Sequence, residues 1–125
     1  VLAGVLCERN DRARARELLL QASAKAPGRQ DILAELARVT QIDGDYAVAA
    51  DIYRRALALQ SDAADTRANY GTCLLELGKR EAGEAAIREA ARGRPQMFGR
   101  AVASMAVASH GRFFLRPSKA AKFLR

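Results

Sequence analysis

At 125 residues the chain has the length of one domain, and half of its residues are apolar, yet no apolar run is long enough to span a bilayer. His110 is the single histidine, which excludes a histidine metal pair and leaves at most a lone general base; glycine-rich phosphate loops are absent, so neither a metal nor another cofactor is expected. The net charge of +7 is uneven: residues 1–63 carry nine basic and nine acidic side chains, residues 64–125 twelve and five.

Taken in order, Leu2 to Glu8 reads as a partial helix that turns at Asn10-Asp11 into a second helix running from Asp11 to about Lys25. Pro27-Gly28 stops it. The opening at Val1 rather than Met, with this first helix cut short, is the pattern expected of a fragment of a longer chain. From about Gln30, Leu33, Leu36, Ala37 and Thr40 recur at helical spacing, and beyond Gly44 so do Ala49, Ile52, Tyr53 and Ala56. The stretch from Leu33 to Ser61 is therefore a helical hairpin, with Gly44 ending one helix in the left-handed conformation and the Asp45 side chain capping the next. Asp51 stands four residues before Arg55, a favourable helical pair.

A third hairpin begins near Ala63, turns at Gly78 and continues to Arg92, with Glu84 and Arg88 spaced as a pair. Gly83 stands where its siblings carry alanine; the choice costs about 1 kcal/mol of helix propensity and implies either close packing or tolerance. Past Pro95 the spacing slips by one residue, so Phe98 to His110 reads as the first helix of a fourth unit. Pro117 interrupts its partner, and residues 111–125, with Phe113, Phe114, Leu115, Phe123 and Leu124, read as a cap over the last apolar face.

A shift of 34 residues pairs Asn10, Gly44 and Gly78; Ala15, Ala49 and Gly83; Leu19, Tyr53 and Ile87; Ala22, Ala56 and Ala90; and Pro27, Ser61 and Pro95. The preceding helices keep step, with Leu2, Leu36 and Tyr70, then Ala3, Ala37 and Gly71, then Leu6, Thr40 and Leu74. A helix–turn–helix unit of this length with this small, aromatic and proline pattern resembles the tetratricopeptide repeat (TPR) family. The resemblance implies an all-α, right-handed superhelix of stacked helical hairpins, about three and a half repeats plus a C-terminal capping helix. It divides one domain, 1–125, into repeats of about 1–29, 30–63 and 64–97, with a degenerate fourth repeat and cap over 98–125. The closing Gly-Arg-Phe-Phe-Leu-Arg-Pro-Ser is also similar to the ends of bacterial TPR proteins of Tad-type pilus assembly, which would set the chain in a pilus-assembly or secretion system.

By the same resemblance the chain is a non-enzymatic scaffold whose first helices line a concave groove for a partner peptide or helix. Extrapolated, the groove presents Asp31, Ala34, Glu35, Arg38, Gln41 and Ile42, then Asp65, Ala68, Asn69, Thr72, Leu75 and Glu76, then Val102, Ala103, Ala106 and Ser109. The chaperone-binding members hold a terminal carboxylate with a Lys and Asn pair, a further Asn, and a Lys and Arg pair. Here Ala34 and Arg38 replace the first pair and only Asn69 matches, so no chaperone carboxylate clamp is expected. Within the groove the candidates are Arg38 and Asn69, with Glu35, Thr72 and Glu76 around them. Asn69 can donate to and accept from a peptide backbone, and Arg38 can take a carboxylate in two hydrogen bonds. The plainer alternative has Asn69 bridging locally and Arg38 paired with Glu35 or Glu76.

Two other readings are of a different class. After Glu89 no acid follows, and a basic surface of Arg112, Arg116, Lys119 and Lys122 could attract nucleic acid or an anionic membrane; alternatively the repeats regulate a catalytic domain outside this sequence. Asp43 with Asp45, and Glu81 with Glu84, are carboxylate pairs by spacing but flank turns or exposed helix faces. Cys7 and Cys73 fall two repeats apart, too far to pair within one chain, and read as small apolar residues; the compartment, bacterial cytoplasm or periplasm, stays open.

Overall fold

The computed structural model describes the backbone of residues 2–107 and 124, and the side chains of residues 10–103 and 124. Among these residues every element is helical: α1 (Leu2–Lys25), α2 (Gln30–Ile42), α3 (Tyr46–Leu59), α4 (Ala64–Glu76), α5 (Arg80–Ala91), a 3-10 turn (Pro95–Met97) and α6 (Phe98–Val107). The fold is thus an all-α stack of helical hairpins, each helix packing on the next. His110 and the cap residues Phe113, Phe114, Leu115 and Phe123 lie outside the described residues.

The two hairpin turns repeat one device. Gly44 and Gly78 take φ +87° and +81°, and in each turn two amides close the helix end. Gly44 N–H donates to the Gln41 carbonyl and Asp45 N–H to that of Thr40, as Gly78 does to Leu75 and Lys79 to Leu74. This double bond pattern satisfies carbonyls that the helix end leaves open, and its left-handed residue is glycine because a Cβ would be strained there. Asp45 occupies the N-cap position of α3 without a side-chain cap bond. Its carboxylate instead accepts from Arg16 of α1 at 2.9 Å, beside an Arg12–Asp43 pair at 3.0 Å. The expected Asp51–Arg55 pair is likewise replaced, by Asp51 with Arg54. The spacing of three serves as well as four on a helix surface.

The first repeat departs from expectation. No turn forms at Asn10-Asp11, and α1 is one helix of 24 residues. The physical reason stands at position 10, where asparagine replaces the glycine of the sibling turns: asparagine tolerates the left-handed conformation but does not demand it, and the chain keeps its helical hydrogen bonds.

Two clusters form the core. Leu33, Leu36, Ala37, Ala49, Ala50, Ile52, Tyr53, Ala56 and Cys73 fill the space around α2 and α3, with Leu19 of α1 and Tyr70 of α4 at its margins. The second joins α4, α5, the 3-10 turn and α6 through Ala68, Leu75, Ile87, Ala90, Ala91, Met97 and Ala101. Leu124 is buried in it, 3% exposed, on the flank where the sequence calls for a cap. Between α4 and α5 the backbones come unusually near. A Cβ added at Gly83 would sit 2.9 Å from the Gly71 carbonyl oxygen, and one at Gly71 would sit 2.8 Å from that of Gly83. Gly83 is therefore a close-packing glycine, and Gly71 is its counterpart on the facing helix.

Candidate peptide groove

The first helices of successive hairpins, α2, α4 and α6, lie side by side. Hydrogen bonds run laterally between them, from Gln30 Nε2 at the start of α2 to Thr66 Oγ1 at the start of α4 at 3.0 Å, and from Arg100 of α6 to α4. Along this line the structure brings Arg38, Gln41, Asn69 and Arg100 around the hydroxyl of Tyr53. The Tyr53 ring is packed in the α2–α3 core, while its hydroxyl donates to Gln41 Oε1 at 2.8 Å and is hydrogen-bonded to Asn69. Burial pushes this hydroxyl well above the usual tyrosine range, as does the neighbouring Cys73, while Arg38, Asn69 and Arg100 pull the other way. Both guanidiniums therefore act on one buried hydroxyl, that of Tyr53, which is 0% exposed. Tyr53 is a neutral hydrogen-bonding group at any ordinary pH.

Each candidate has a definite place. Arg38 is held by Glu35 in a two-bond ion pair at 2.5 and 3.1 Å, the plainer of the two readings of its sequence position. This pair is half-exposed on both sides. The hydrogen bond and charge of Arg38 hold the Glu35 carboxyl below its ordinary range, against the opposing effect of partial burial. Asn69 accepts from Arg100 at 2.5 Å through its side-chain oxygen. Thr72 is turned to its own helix, its hydroxyl donating to the Ala68 carbonyl at 3.1 Å, so toward a partner it can only accept. Glu76 is partly buried near the end of α4. Two residues extrapolated to the groove do not line it, because Ala68 and Leu75 are buried in the second core cluster. Val102 packs against the same cluster, and the side chain of Ala106 and all of Ser109 lie outside the described residues. So do Arg112, Arg116, Lys119 and Lys122, the candidate basic surface.

Arg100 is a site residue that sequence reasoning did not single out. Its two terminal nitrogens fork between Asp65 at 2.6 Å and Asn69 at 2.5 Å, tying α6 to α4. The available signal was spacing: Asp65 and Asn69 stand 35 and 31 residues before it, close to one repeat length, and both can accept from a cation. Among the described residues no cluster of His, Cys, Asp and Glu has the makings of a metal site, and no helix is long and apolar enough to cross a membrane.

The tetratricopeptide repeat family model matches residues 42–106, from the end of α2 to α6, more than half of the chain. The chain belongs to the tetratricopeptide repeat family. In this TPR chain the matched span contains Tyr53, Asn69 and Arg100, and it ends within α6. No curated protein matches the chain. TPR domains are in general non-catalytic modules that bind other proteins.

Proposed function

We propose that this chain is a binding scaffold whose ligand is an extended or helical protein segment bearing an acidic side chain or terminus, held across α2, α4 and α6. The observation that carries the reading is that the charges of Arg38 and Arg100 both act on the Tyr53 hydroxyl, with Arg100 bonded to the neighbouring Asn69 amide. An amide keeps one donor and one lone pair beyond its bonds to Arg100 and Tyr53, and these suit the alternating N–H and C=O of a peptide. The arginines supply planar forks for a carboxylate. Their present partners, Glu35 and Asp65, are solvent-accessible, and such exposed pairs hold by only about 0–1 kcal/mol, so an incoming carboxylate exchanges with them at little cost. In this reading the hairpins wind as the right-handed superhelix of the family and the groove is its inner face. A pilus-assembly or secretion setting rests on the similarity of the closing residues alone.

The test is affinity for a partner captured on the immobilised chain, measured for Asn69→Ala, Arg38→Ala and Arg100→Ala with folding verified. A groove site predicts losses of roughly tenfold or more, about 1.4 kcal/mol each. Unchanged affinity in all three would move the binding surface elsewhere, first to the basic end, where binding to anionic vesicles or nucleic acid should weaken steeply with salt.

A further inference from the structure

The side chain that bridges the first junction between hairpins has no equivalent at the second. Along the repeat, Arg16, Ala50 and Glu84 hold one position, 34 residues apart, and in the following turns Asp43 and Asp45 correspond to Leu77 and Lys79. Arg16 crosses from α1 to the Gly44 turn, where its guanidinium meets Asp45 at 2.9 Å and Asp43 at 3.8 Å. In α5, Glu84 fills its own place, 2% exposed and paired with Arg80 at 3.2 Å. Ala50 stops short. Beside it, between α3, α4 and the Gly78 turn, lies a crevice of about 210 Å³. Buried Ala50 and Leu74 make its floor, Tyr70 and Leu77 its walls, and Arg54 and Lys79 its rim.

The crevice also reverses the charge of the first junction. Where Arg16 finds two carboxylates, a group entering here finds two cations. Arg54 is shared with Asp51, which also lines the crevice. Lys79 is exposed and has no carboxylate partner among the described residues, and the hydroxyl of part-buried Tyr70 makes no hydrogen bond among them. We propose that this crevice is a second binding site, which receives a glutamate side chain of a partner protein. Two methylenes suit the apolar floor of Ala50 and Leu74, and the carboxylate accepts from the Lys79 ammonium and the Tyr70 hydroxyl, two donors that the chain leaves unused. An arginine, the residue that bridges the first junction, is repelled here by Lys79 and Arg54. None of the lining residues belongs to the groove around Asn69, so the two sites are separable.

Nuclear magnetic resonance of the 125-residue chain, titrated to tens of millimolar with N-acetyl-glutamate N-methylamide, tests this directly. Saturable shifts are expected at the amides of Ala50 and Lys79, and none with the glutamine or lysine analogue. Lys79→Glu, at an exposed position, should abolish them with helical circular dichroism unchanged. Shifts that are absent, that the glutamine analogue reproduces, or that persist in Lys79→Glu overturn the proposal. So do shifts centred on Arg38, Asn69 and Arg100, although these would favour the groove. A second measurement needs no added probe. Ala50→Glu, which supplies the acidic side chain from within, should melt at a higher temperature than Ala50→Arg, and in a Lys79→Asp background the order should reverse. An order that Lys79→Asp leaves unchanged refutes the charge complementarity on which the site depends.

Discussion

Replacing Gly83 by alanine is expected to destabilise the chain, although alanine is the better helix former by about 1 kcal/mol. The new methyl would lie 2.9 Å from the Gly71 carbonyl oxygen and 2.9 Å from both Cγ and Cδ2 of Leu75. Leu75 is itself fully buried, so it has no free space to move into, and a carbonyl oxygen moves only with its helix. Relief therefore requires α4 and α5 to separate by a few tenths of an ångström along their length, or Leu75 to leave its rotamer. Overpacking of this kind costs about 1–3 kcal/mol, and against the propensity gain of about 1 kcal/mol it leaves a net loss of up to about 2 kcal/mol. For a chain of this size that is a fall in melting temperature of up to roughly 8 °C. Gly71→Ala should be at least as costly, because its methyl would meet Ile87 Cγ1 at 2.7 Å and the Gly83 oxygen at 2.8 Å. Helical circular dichroism followed through thermal and urea unfolding measures both. Gly99→Ala in α6 is the control: nothing lies within 4 Å of the new methyl, and the melting temperature should hold or rise. The double variant should lose less than the sum of the singles, since helices already separated by one methyl admit the other. A higher melting temperature for Gly83→Ala would refute the reasoning, for it would mean that α4 and α5 do not need their close approach.

Three further outcomes rest on the same packing and charges. Leu124→Ala should lower stability by about 2 kcal/mol or more in urea titrations, and removal of residues 111–125 should cause aggregation by uncovering the second core cluster. Burial pushes the Cys73 thiol up to about 12, helped by the charge of Glu76, so native Cys73 should resist alkylation at pH 8 and react only as the chain unfolds. The same shift fixes a sign: above pH 9 the unfolded thiol ionises while the folded one does not. Stability should fall between pH 9 and 12, and Cys73→Ala should remove part of that slope. Finally, Asp43→Asn and Asp45→Asn together should loosen α1 by no more than about 1 kcal/mol in total at low salt and by less at high salt, because the paired arginines are only part-buried, which amide exchange along α1 would report.

Much of the fold was legible because the signals were redundant. Gly44 and Gly78 mark the turns, and the apolar residues on either side repeat at 34 with helical spacing, so each hairpin is specified by its turn and by its faces together. Asn10 shows what happens when one of those signals weakens. The flanking apolar pattern of the first repeat matches its siblings, but the turn residue only permits a break, and the helix runs on. The capping role assigned to Asp45 failed for a different reason: its position at the helix start was right, yet a carboxylate at an exposed turn takes whichever donor is better, and Arg16 arrives from another repeat. Local sequence cannot rank such a competition.

The candidate site was legible in its middle and not at its edge. Arg38 and Asn69 sit on α2 and α4, helices whose register is fixed by intact turns. The placement of α6 depends instead on Gly93, at φ +68°, and on the 3-10 turn of Pro95–Met97, neither of which repeats an earlier element. Counting forward from the third hairpin put Val102, Ala103, Ala106 and Ser109 toward the groove, but the observed turn delivers Arg100 to Asp65 and Asn69, with Val102 against the core. A long side chain amplifies a small error of this kind, since an arginine reaches across a gap that would exclude an alanine from any contact. The specificity of the proposed groove therefore depends most on the joint between α5 and α6, where the repeat is least regular. A change at Gly93 should alter ligand affinity through the position of Arg100, without touching any residue of the groove.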